Sequence, residues 1–396
     1  MTRLWDKGST LDAQVLKYTA GDDHALDNRL VAHDIRASIA HAEMLGEQKL
    51  LAVQDVAAIR DALTAIGEAH RLGAWRVSLD DEDCQTAIEN LLTARIGATG
   101  GRLHAGRSRN DQVLAALRLY MREAAETLRQ GALAAAGALA ELAARHPNQT
   151  LPGYTHMQQA MPSSVELWAS GFAAELCDDA AGLAAAQRRI AKNPLGSAAG
   201  FGTPNLNISR EATRRRLEFT ETQEPVTAVQ LSRGKAEAQL LFEITLLTQD
   251  LGRLAADLLL FYTQEFAYVA LPDAFTTGSS IMPQKRNPDV FELMRGRSTV
   301  AHAALNEVLG VTQKLTSGYH RDLQLIKPPL FRAIDSCLQT LEILPAALGG
   351  VRFRPENFRL DPAIHAAAAA NALVAKEGIP FREAYKQVAA KLKDNE

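Results

Sequence analysis

The sequence is poor in the residues that build disulfide frameworks, nucleic-acid surfaces and membrane spans. Cys84, Cys177 and Cys337 are its three cysteines, and they have the paired spacing of neither a zinc site nor a disulfide framework. The net charge of -3 gives no basic field for nucleic acid. No apolar run reaches the roughly 20 residues that span a bilayer, and the N-terminus lacks the apolar stretch of a signal peptide. We expect a soluble, cytoplasmic protein that binds neither nucleic acid nor membrane.

The sequence also lacks motifs for nucleotide binding and for metal-dependent hydrolases, and it has few patterns typical of extended sheets. The glycine runs GATGGRLHAG and GSAAGFG miss the spacing of dinucleotide-binding and P-loop motifs. The sequence contains no HExxH, which disfavours a metal-dependent hydrolase. Alternation typical of strands is confined to short stretches such as 75–79 and 151–155. These features argue against a nucleotide-binding fold, a metal-dependent hydrolase and an extended sheet.

Alanine-rich segments with apolar residues at three- and four-residue spacing occupy most of the chain, which predicts an all-α or mainly α protein. Several exceed the usual helix length of about 11 to 12 residues two- to threefold, which favours a long central bundle. Because 396 residues exceed what one core usually supports, we predict an N-terminal domain (1–110), a central helix-bundle domain (111–349) and a short C-terminal helical domain (350–396). The helical segments are 28–70, 113–145, 164–191, 233–270 and 288–316.

Two glycines interrupt the second helical segment. Gly131 and Gly137 would each cost about 1 kcal/mol relative to alanine inside a helix. Close approach of another helix would explain both, so we expect close packing there.

Three polar motifs precede helical segments. The first is GRLHAGRSRNDQ, in which Ser108 and Asp111 have the spacing of a capping box. Arg109 and Asn110 then lie where free backbone amides and the helix dipole favour an anion. The motif therefore predicts an anion-binding helix start.

The second motif, PGYTHMQQAMPSS, carries two polar side chains in a loop. Ser163 and Glu166 have capping-box spacing, and the loop before them contains Thr155 and His156. A lone histidine is more often an ordinary loop residue than a catalytic one.

The third motif, GSSIMPQKRNPD, combines two hydroxyls, two cations and a helix start. Asn287 suits the N-cap and Pro288 the first helical position. The small residues before them would allow the loop to close over a ligand. Together the three motifs suit a small substrate with more than one carboxylate, although each residue alone fits an ordinary surface role.

The length of the 113–145 segment determines which motifs can lie close together in one subunit. A continuous helix there would be about 50 Å long at 1.5 Å per residue, which places the first and second motifs at opposite ends. In an up-and-down arrangement, 193–202, Arg233 and 317–324 would share the end of the first motif. We therefore expect a symmetric homo-oligomer with sites shared between subunits.

Five motifs in order resemble the argininosuccinate lyase family of the aspartase/fumarase superfamily: GRLHAGRSRNDQ, PGYTHMQ, NPLGSAAG, TTGSSIMPQKRNPD and SGYHRDLQ. The resemblance extends from about residue 27 to 385. It implies a central helix bundle, a homotetramer and elimination of arginine from argininosuccinate to give fumarate, without metal or cofactor.

The resemblance also implies roles for particular residues. Ser279 would be the base, Lys285 and Asn287 would stabilise the charge that develops, and His156 held by Glu292 would handle protons near the leaving group. The implied substrate-binding residues are Arg109, Asn110, Thr155, Ser280, Asn287, Arg233, Tyr319, Gln324 and Lys327.

Several positions depart from the family pattern. Gln85 stands where the family has a histidine, Gly234 where an acid follows the arginine, and Asp23 where a serine contacts substrate. The chain also stops where the family continues through a further helical segment. The acid–base residues are intact, so we expect these changes to affect affinity or leaving group.

Two alternatives remain from the sequence. One is a sister lyase that releases fumarate and another amine from an N-substituted aspartate. The other is a structural relative without catalytic activity. Assays with a panel of substrates would separate the three.

Overall fold

The computed structural model describes residues 12–393, and helices dominate them, which confirms the mainly α prediction. Residues 1–11, on which the signal-peptide prediction depends, lie outside the described residues. Within 12–393, no helix is both long and apolar enough to cross a membrane. The α helices are α1 (Ala13–Ala20), α2 (Asp23–Leu26), α3 (Val31–Glu47), α4 (Val53–Arg71), α5 (Cys84–Ile96), α6 (Ala98–Gly101), α7 (Arg109–Ala144), α8 (Val165–Ile190), α9 (Arg210–Arg216), α10 (Thr227–Leu231), α11 (Lys235–Tyr262), α12 (Asp289–Thr312), α13 (Lys327–Gly350), α14 (Ala366–Glu377) and α15 (Phe381–Lys393).

The chain forms two compact units, and the boundaries between them fall inside α7, α8, α11, α12 and α13. Unit 1 contains the described residues up to Arg129, Ala181–Thr245 and Val300–Cys337. Unit 2 contains Gln130–Ala180, Leu246–Thr299 and the described residues from Leu338.

Helix α7 is continuous over 36 residues, about 54 Å at 1.5 Å per residue. Its almost fully buried residues follow one another at spacings of three and four, which is the period of one helix face. Each leucine among them contributes about 1.5 to 3 kcal/mol by leaving water. The stripe consists of Leu114, Leu117, Met121, Ala125, Leu128, Ala132, Ala135, Leu139 and Leu142.

The two glycines of α7 have different surroundings. A Cβ on Gly131 would lie 2.9 Å from Cδ1 of Leu341, so the predicted close packing is confirmed there. A Cβ on Gly137 would meet nothing within 4 Å among the described residues, so the prediction is wrong for Gly137 within one chain.

Two predicted helical segments have different limits in the structure. The segment 28–70 is two helices, because the chain turns after α3 with Lys49 at a φ of 60°, outside the right-handed helical region. The segment 233–270 ends as a helix at Tyr262. Apolar residues keep their helical spacing through both helix ends, so the sequence pattern did not reveal where the helices stop.

The strands are few and short. β1 (Thr150–Thr155) pairs antiparallel with β2 (Gln158–Ser164), which confirms the strand expected at 151–155. The stretch 75–79 is not a strand, since it leads into a 3-10 turn at Leu79–Asp81. The other pairs are β3 (Lys192–Asn193) with β4 (Glu221–Thr222), and β5 (Val269–Ala270) with β6 (Arg352–Phe353).

Each unit has its own buried packing. In unit 1, residues of α3 and α7 pack with the chain around α9; the cluster is Ala37, Ala40, Ala115, Leu119, Leu195, Leu217 and Phe219. In unit 2, the ring of Trp168 lies edge-on to Phe353 at 5.6 Å and is tilted against Phe261 at 5.8 Å. The free thiols include buried Cys84 and exposed Cys177.

Candidate active site

The first motif forms one of the two bonds of the predicted capping box at the start of α7, and the Ser108 hydroxyl bonds the amide of Asn110 instead of that of Asp111. Asp111 Oδ1 accepts a hydrogen bond from the Ser108 amide at 3.0 Å, and Ser108 Oγ accepts from the Asn110 amide at 3.3 Å. The second carboxylate oxygen of Asp111 accepts from the amides of Gly196 (2.9 Å) and Ala198 (2.8 Å). Burial raises the pKa of Asp111 to about 6, although these amides lower it. One carboxylate thus caps α7 and holds the 193–202 loop beside it.

Arg109 is held by the two acids that precede α5. Its guanidinium forms an ion pair with Asp83 and lies 3.6 Å from Glu82. Asp83 is itself the N-cap of α5, where its side chain accepts from the Thr86 amide at 2.9 Å. The arginine is therefore fixed in position by a second helix start.

A cavity of about 140 Å³ in unit 1 brings the first motif together with the later motifs. Arg233 and three residues of the 317–324 run line the same cavity as Arg109 and Asn110, as predicted. The 193–202 loop does not line it but is bonded to Asp111 of the first motif. Six of the predicted substrate-binding residues meet there. The lining consists of Asp23, Asp83, Arg109, Asn110, Val113, Arg233, Tyr319, Arg321, Gln324 and Lys327.

Lys327 occupies the wall of this cavity between two carboxylates. Its Nζ is 2.8 Å from Asp23 and 2.8 Å from Asp27, and the lysine side chain is 3% exposed. Burial lowers the pKa of Lys327, but Asp27 and Asp23 together raise it above its ordinary value. Burial raises the pKa of Asp23 to about 6, against the lowering effect of Lys327. The sequence did not indicate that Asp23 neutralises the predicted lysine.

The Gln324 side chain fastens the segment that carries Asp23. Its amide nitrogen donates to the carbonyls of Thr19 (3.1 Å) and Ala20 (2.9 Å) at the end of α1. Arg321 donates to the same Thr19 carbonyl at 2.7 Å. These bonds fix the chain just before Asp23 against the 317–324 run.

The Gly234 departure has a steric cause. Gly234 has a φ of +80°, and a Cβ there would lie 2.4 Å from Cγ2 of Thr312. A side chain at position 234 would be strained and would require Thr312 to shift, and the acid near Arg233 is instead Glu237, one turn along α11. Arg233 also lies with its guanidinium 6.0 Å from the Tyr319 ring.

Gln85 belongs to a buried polar network and does not line the cavity. Its amide donates to Asp34 at 3.0 Å, and Gln112 donates to the other oxygen of Asp34 at 3.1 Å. Burial raises the pKa of Asp34, while nearby Arg107 lowers it. The glutamine therefore provides the neutral donor that this carboxylate requires.

The second motif folds as a tight hairpin. His156 and Met157 form the turn between β1 and β2, with φ of 53° and 60°. Thr155 and His156 are exposed at its tip. Two consecutive residues at positive φ are typical of a two-residue hairpin turn.

The third motif forms a loop closed at its base. Thr277 and Asn287 exchange backbone hydrogen bonds of 3.0 and 2.8 Å, and Asn287 Nδ2 donates to the Gly278 carbonyl at 3.2 Å. Within the loop, Ser279 Oγ accepts from the amides of Ile281 (3.4 Å) and Met282 (3.3 Å). The loop is thus a compact turn around Ser279, with Ser280 exposed next to it.

An open cavity of about 800 Å³ in unit 2 contains the end of the third motif. Lys285, Asn287 and Glu292 line it, together with Met157 from the hairpin. His156 and Thr155 are not among its lining residues. Within unit 2, the predicted charge-stabilising residues therefore lie together, and the neighbour of the predicted histidine reaches them.

Three local predictions differ from the structure. Helix α12 begins at Asp289, so Asn287 does not cap it and instead bonds across the loop. Helix α8 is capped by Ser164, whose Oγ accepts from the Leu167 amide at 3.0 Å, and not by Ser163. Within unit 2 of one chain, no hydrogen bond joins His156 to Glu292 among the residues described. Cap positions shift because adjacent serines and Asn-Pro pairs offer equivalent signals.

The chain is similar to a family model and to curated proteins over most of its length. A lyase family model matches residues 11–302 of the chain. Argininosuccinate lyase of Sorangium cellulosum (strain So ce56) is 46% identical over 399 residues, covering 98% of this chain and 90% of the relative. Argininosuccinate lyase of Xanthomonas oryzae pv. oryzae (strain PXO99A) is 41% identical over 390 residues, with the same coverage.

A solved structure shares the fold along almost the whole chain. The crystal structure of EDDS lyase in complex with formate superimposes with a TM-score of 0.80 at 25% identity. The match covers 96% of this chain and 76% of that one.

Proposed function

Because the chain belongs to the argininosuccinate lyase family of carbon–nitrogen lyases, we propose that it splits argininosuccinate into arginine and fumarate. This reaction is the last step of arginine biosynthesis. The observation that carries the proposal is the unit 1 cavity, which combines Arg109 and Asn110 with four more of the predicted substrate-binding residues. A cavity of this kind suits a substrate that carries both carboxylates and cationic groups.

The proposed reaction begins with removal of a proton from the carbon next to a substrate carboxylate. Ser279 takes the proton, and the carboxylate becomes a doubly charged aci-carboxylate. Lys285, Asn287 and the amides at the start of α12 stabilise that charge. The cationic loop also favours the ionised form of the serine, which is the form that acts as a base.

In the second step the carbon–nitrogen bond breaks and its electrons pass to the guanidine nitrogen. His156 supplies the proton that this nitrogen needs, and Glu292 orients the imidazole ring. The products are arginine and fumarate, and the proton count balances without an oxidant or a metal.

The remaining predicted residues hold the substrate. Arg109, Asn110, Thr155 and Ser280 bind the carboxylates of the succinyl part. Arg233, Tyr319, Gln324 and Lys327 surround the arginine part. The exposed positions of Thr155, His156 and Ser280 leave room for these contacts.

We propose that the enzyme is a homotetramer whose sites are shared between subunits. Support comes from large apolar side chains that one chain leaves exposed on its long helices. Phe242 is 48% exposed on α11, and Leu293 is 59% exposed on α12. A helix about 54 Å long also separates the first motif from the second along the chain. A neighbouring subunit would bring His156 to Glu292.

We also propose a division into three domains and a cytoplasmic location. The division at 1–110, 111–349 and 350–396 follows the chain order of the motifs. The free thiols of Cys84 and Cys177 fit a reducing cytoplasm.

The direct test is the rise in ultraviolet absorbance from fumarate when argininosuccinate is added to the purified chain. A steady rise, with arginine formed in equal amount, supports the proposal. No fumarate from argininosuccinate would exclude the activity and leave a sister lyase or a structural relative.

A second candidate is a lyase that acts on another N-substituted aspartate, and the likeness to EDDS lyase favours including it. The same assay with a panel of N-substituted aspartates decides between the two. The substrate with the highest kcat/KM identifies the amine released.

A further inference from the structure

We propose that Asp23 is a specificity-determining residue, which selects substrates whose leaving amine carries a positively charged amino group. The inference rests on the proposed function, because it assigns the ammonium group of the arginine part to one wall of the unit 1 cavity. It gives a role to the aspartate that replaces the serine of the family pattern at this position.

The position of Asp23 makes this contact available. Asp23 lines the cavity, and its side chain is 14% exposed, whereas Asp27 and Lys327 behind it are 0% and 3% exposed. Of the three charged groups, Asp23 is therefore the one that a bound molecule reaches most readily. Lys327 contacts its Oδ2 at 2.8 Å. A carboxylate oxygen accepts more than one hydrogen bond, so this contact leaves acceptor capacity for a ligand.

The charge balance of this cluster favours a cation. Asp23, Asp27 and Lys327 together carry one net negative charge when both carboxylates are ionised. Since Lys327 is already shared by two carboxylates at 2.8 Å, it is a weak partner for a third one from the substrate. An ammonium group bound at Asp23 would bring the net charge of Asp23, Asp27 and Lys327 to zero.

The other charged groups of the cavity complement this preference. Arg233 and Arg321 line it as well, whereas Arg109, which also lines it, is held by Asp83 and belongs to the succinyl part of the site. An α-amino acid presents an ammonium and a carboxylate on one carbon. The cavity offers a carboxylate at Asp23 for the first and cationic side chains for the second, so it distinguishes an amino acid from an amine or an acid that has only one of these groups.

The test compares three guanidino compounds by calorimetric binding to the full-length assembled enzyme and to Asp23→Asn. L-arginine carries both groups, agmatine lacks the carboxylate, and 5-guanidinopentanoate lacks the amino group. For the wild type, arginine should bind roughly ten- to a hundredfold more tightly than 5-guanidinopentanoate, as a charge-assisted hydrogen bond requires. In Asp23→Asn this ratio should fall to within about threefold, and agmatine should lose affinity in parallel.

Asp22→Asn is the matched control. Asp22 is the adjacent acid, is exposed and does not line the cavity. It changes the net charge by the same amount, so an effect of charge alone would appear in both variants. Equal discrimination in the wild type and Asp23→Asn, or equal losses in both variants, would overturn the proposal.

A second measurement uses the wild type and does not depend on the stability of a variant. Burial raises the pKa of Asp23 to about 6, so protonation below pH 6 removes the negative charge. Arginine affinity should fall as the pH is lowered from 7 to 5, and 5-guanidinopentanoate affinity should not fall. The charged groups facing Asp23 are Lys327, Asp27 and Arg109, and His24 nearby remains in Asp23→Asn to report any histidine effect.

The outcomes separate this inference from the proposed function. Fumarate formation from argininosuccinate together with equal binding of arginine and 5-guanidinopentanoate rejects the role of Asp23 and keeps the activity. Discrimination that depends on Asp23 without fumarate formation supports the role of Asp23 and rejects the activity.

Discussion

Arg233 and Glu237 lie four residues apart, with the arginine Nε 3.9 Å from Oε1 of the glutamate and both side chains almost completely buried. Neither carboxylate oxygen of Glu237 has a hydrogen-bond partner among the described residues. Arg118 is also close, and Glu237 partly offsets the burial that lowers the pKa of Arg118 to about 10. Glu237 is therefore the counter-charge for two buried arginines, Arg233 and Arg118.

Removing this charge should weaken substrate binding. We expect Glu237→Gln to raise KM roughly tenfold, equivalent to about 1.4 kcal/mol, and to change kcat by less than about threefold. The reason is that Arg233 loses its orienting charge, while the proton-transfer residues are untouched. Steady-state kinetics of fumarate formation measures both constants.

Glu243→Gln is the control for this variant, since Glu243 lies on the same helix outside the cavity. Its KM should match that of the wild type. A fall in kcat with an unchanged KM for Glu237→Gln would contradict the positioning role.

Gly234→Ala should destabilise the fold. The added Cβ would meet Thr312 at 2.4 Å, and the φ of +80° is unfavourable for alanine. We expect a loss of about 1 to 3 kcal/mol in the free energy of unfolding, measured by denaturant titration at fixed protein concentration. Gly101→Ala has a φ of -64°, and apart from the adjacent backbone no atom of the described residues lies within 4 Å of the added carbon, so it should be neutral or stabilising. Equal stability of the two variants would argue against the steric account.

Ser279→Ala should abolish turnover without abolishing binding. Loss of a general base costs roughly a hundredfold or more in kcat, whereas the contacts that hold the arginine part lie elsewhere in the sequence. Single-turnover fumarate formation and calorimetric arginine binding provide the two readouts. Ser280→Ala should instead act mainly on KM. A normal kcat for the Ser279 variant would refute the assignment of the base.

Mixing two inactive variants should restore activity if sites are shared. Arg109→Ala and Ser279→Ala would each supply the residue that the other lacks. After dissociation and reassembly at equal amounts, about one quarter of the sites should contain both intact residues, because each residue is drawn independently from one of two subunit types. Native mass spectrometry verifies subunit exchange. Exchange without recovered activity would show that both residues of a site come from the same subunit.

The pH dependence of stability should report Asp111. Its pKa of about 6 in the folded state exceeds its ordinary value of 3.8, so the folded protein binds the extra proton between these values. The contribution of Asp111 to stability is therefore present below pH 4 and is lost as the pH rises through 6. We expect the wild type to lose stability relative to Asp111→Asn between pH 4 and 7 in denaturant titrations. Parallel curves over that range would contradict the assignment.

The sequence was sufficient for the features that local patterns encode. The Ser108–Asp111 cap, the long α7 helix and the common location of Arg109 and Arg233 follow from capping signals, apolar periodicity and an up-and-down chain. The helix break at Lys49 did not follow, since apolar spacing continues through it.

The missing parts of the site depend on contacts between distant positions. Asp23 was recognised as a departure, but its pairing with Lys327 joins residues more than 300 positions apart. The bonds from Asp111 to the 193–202 loop and the obstruction of Gly234 by Thr312 are of the same kind. Residue type predicts that a carboxylate needs a partner, and only the fold determines which partner it finds.

The unbroken α7 helix limits how this chain can change in length. Each residue advances a helix by about 100° and 1.5 Å, so deleting one residue near the middle of α7 would turn every later apolar side chain away from the neighbours it now contacts. A change of seven residues would restore the direction of the stripe but move its far end by about 10 Å. Insertions and deletions should therefore be found in the surface loops, while the number of residues in α7 stays constant.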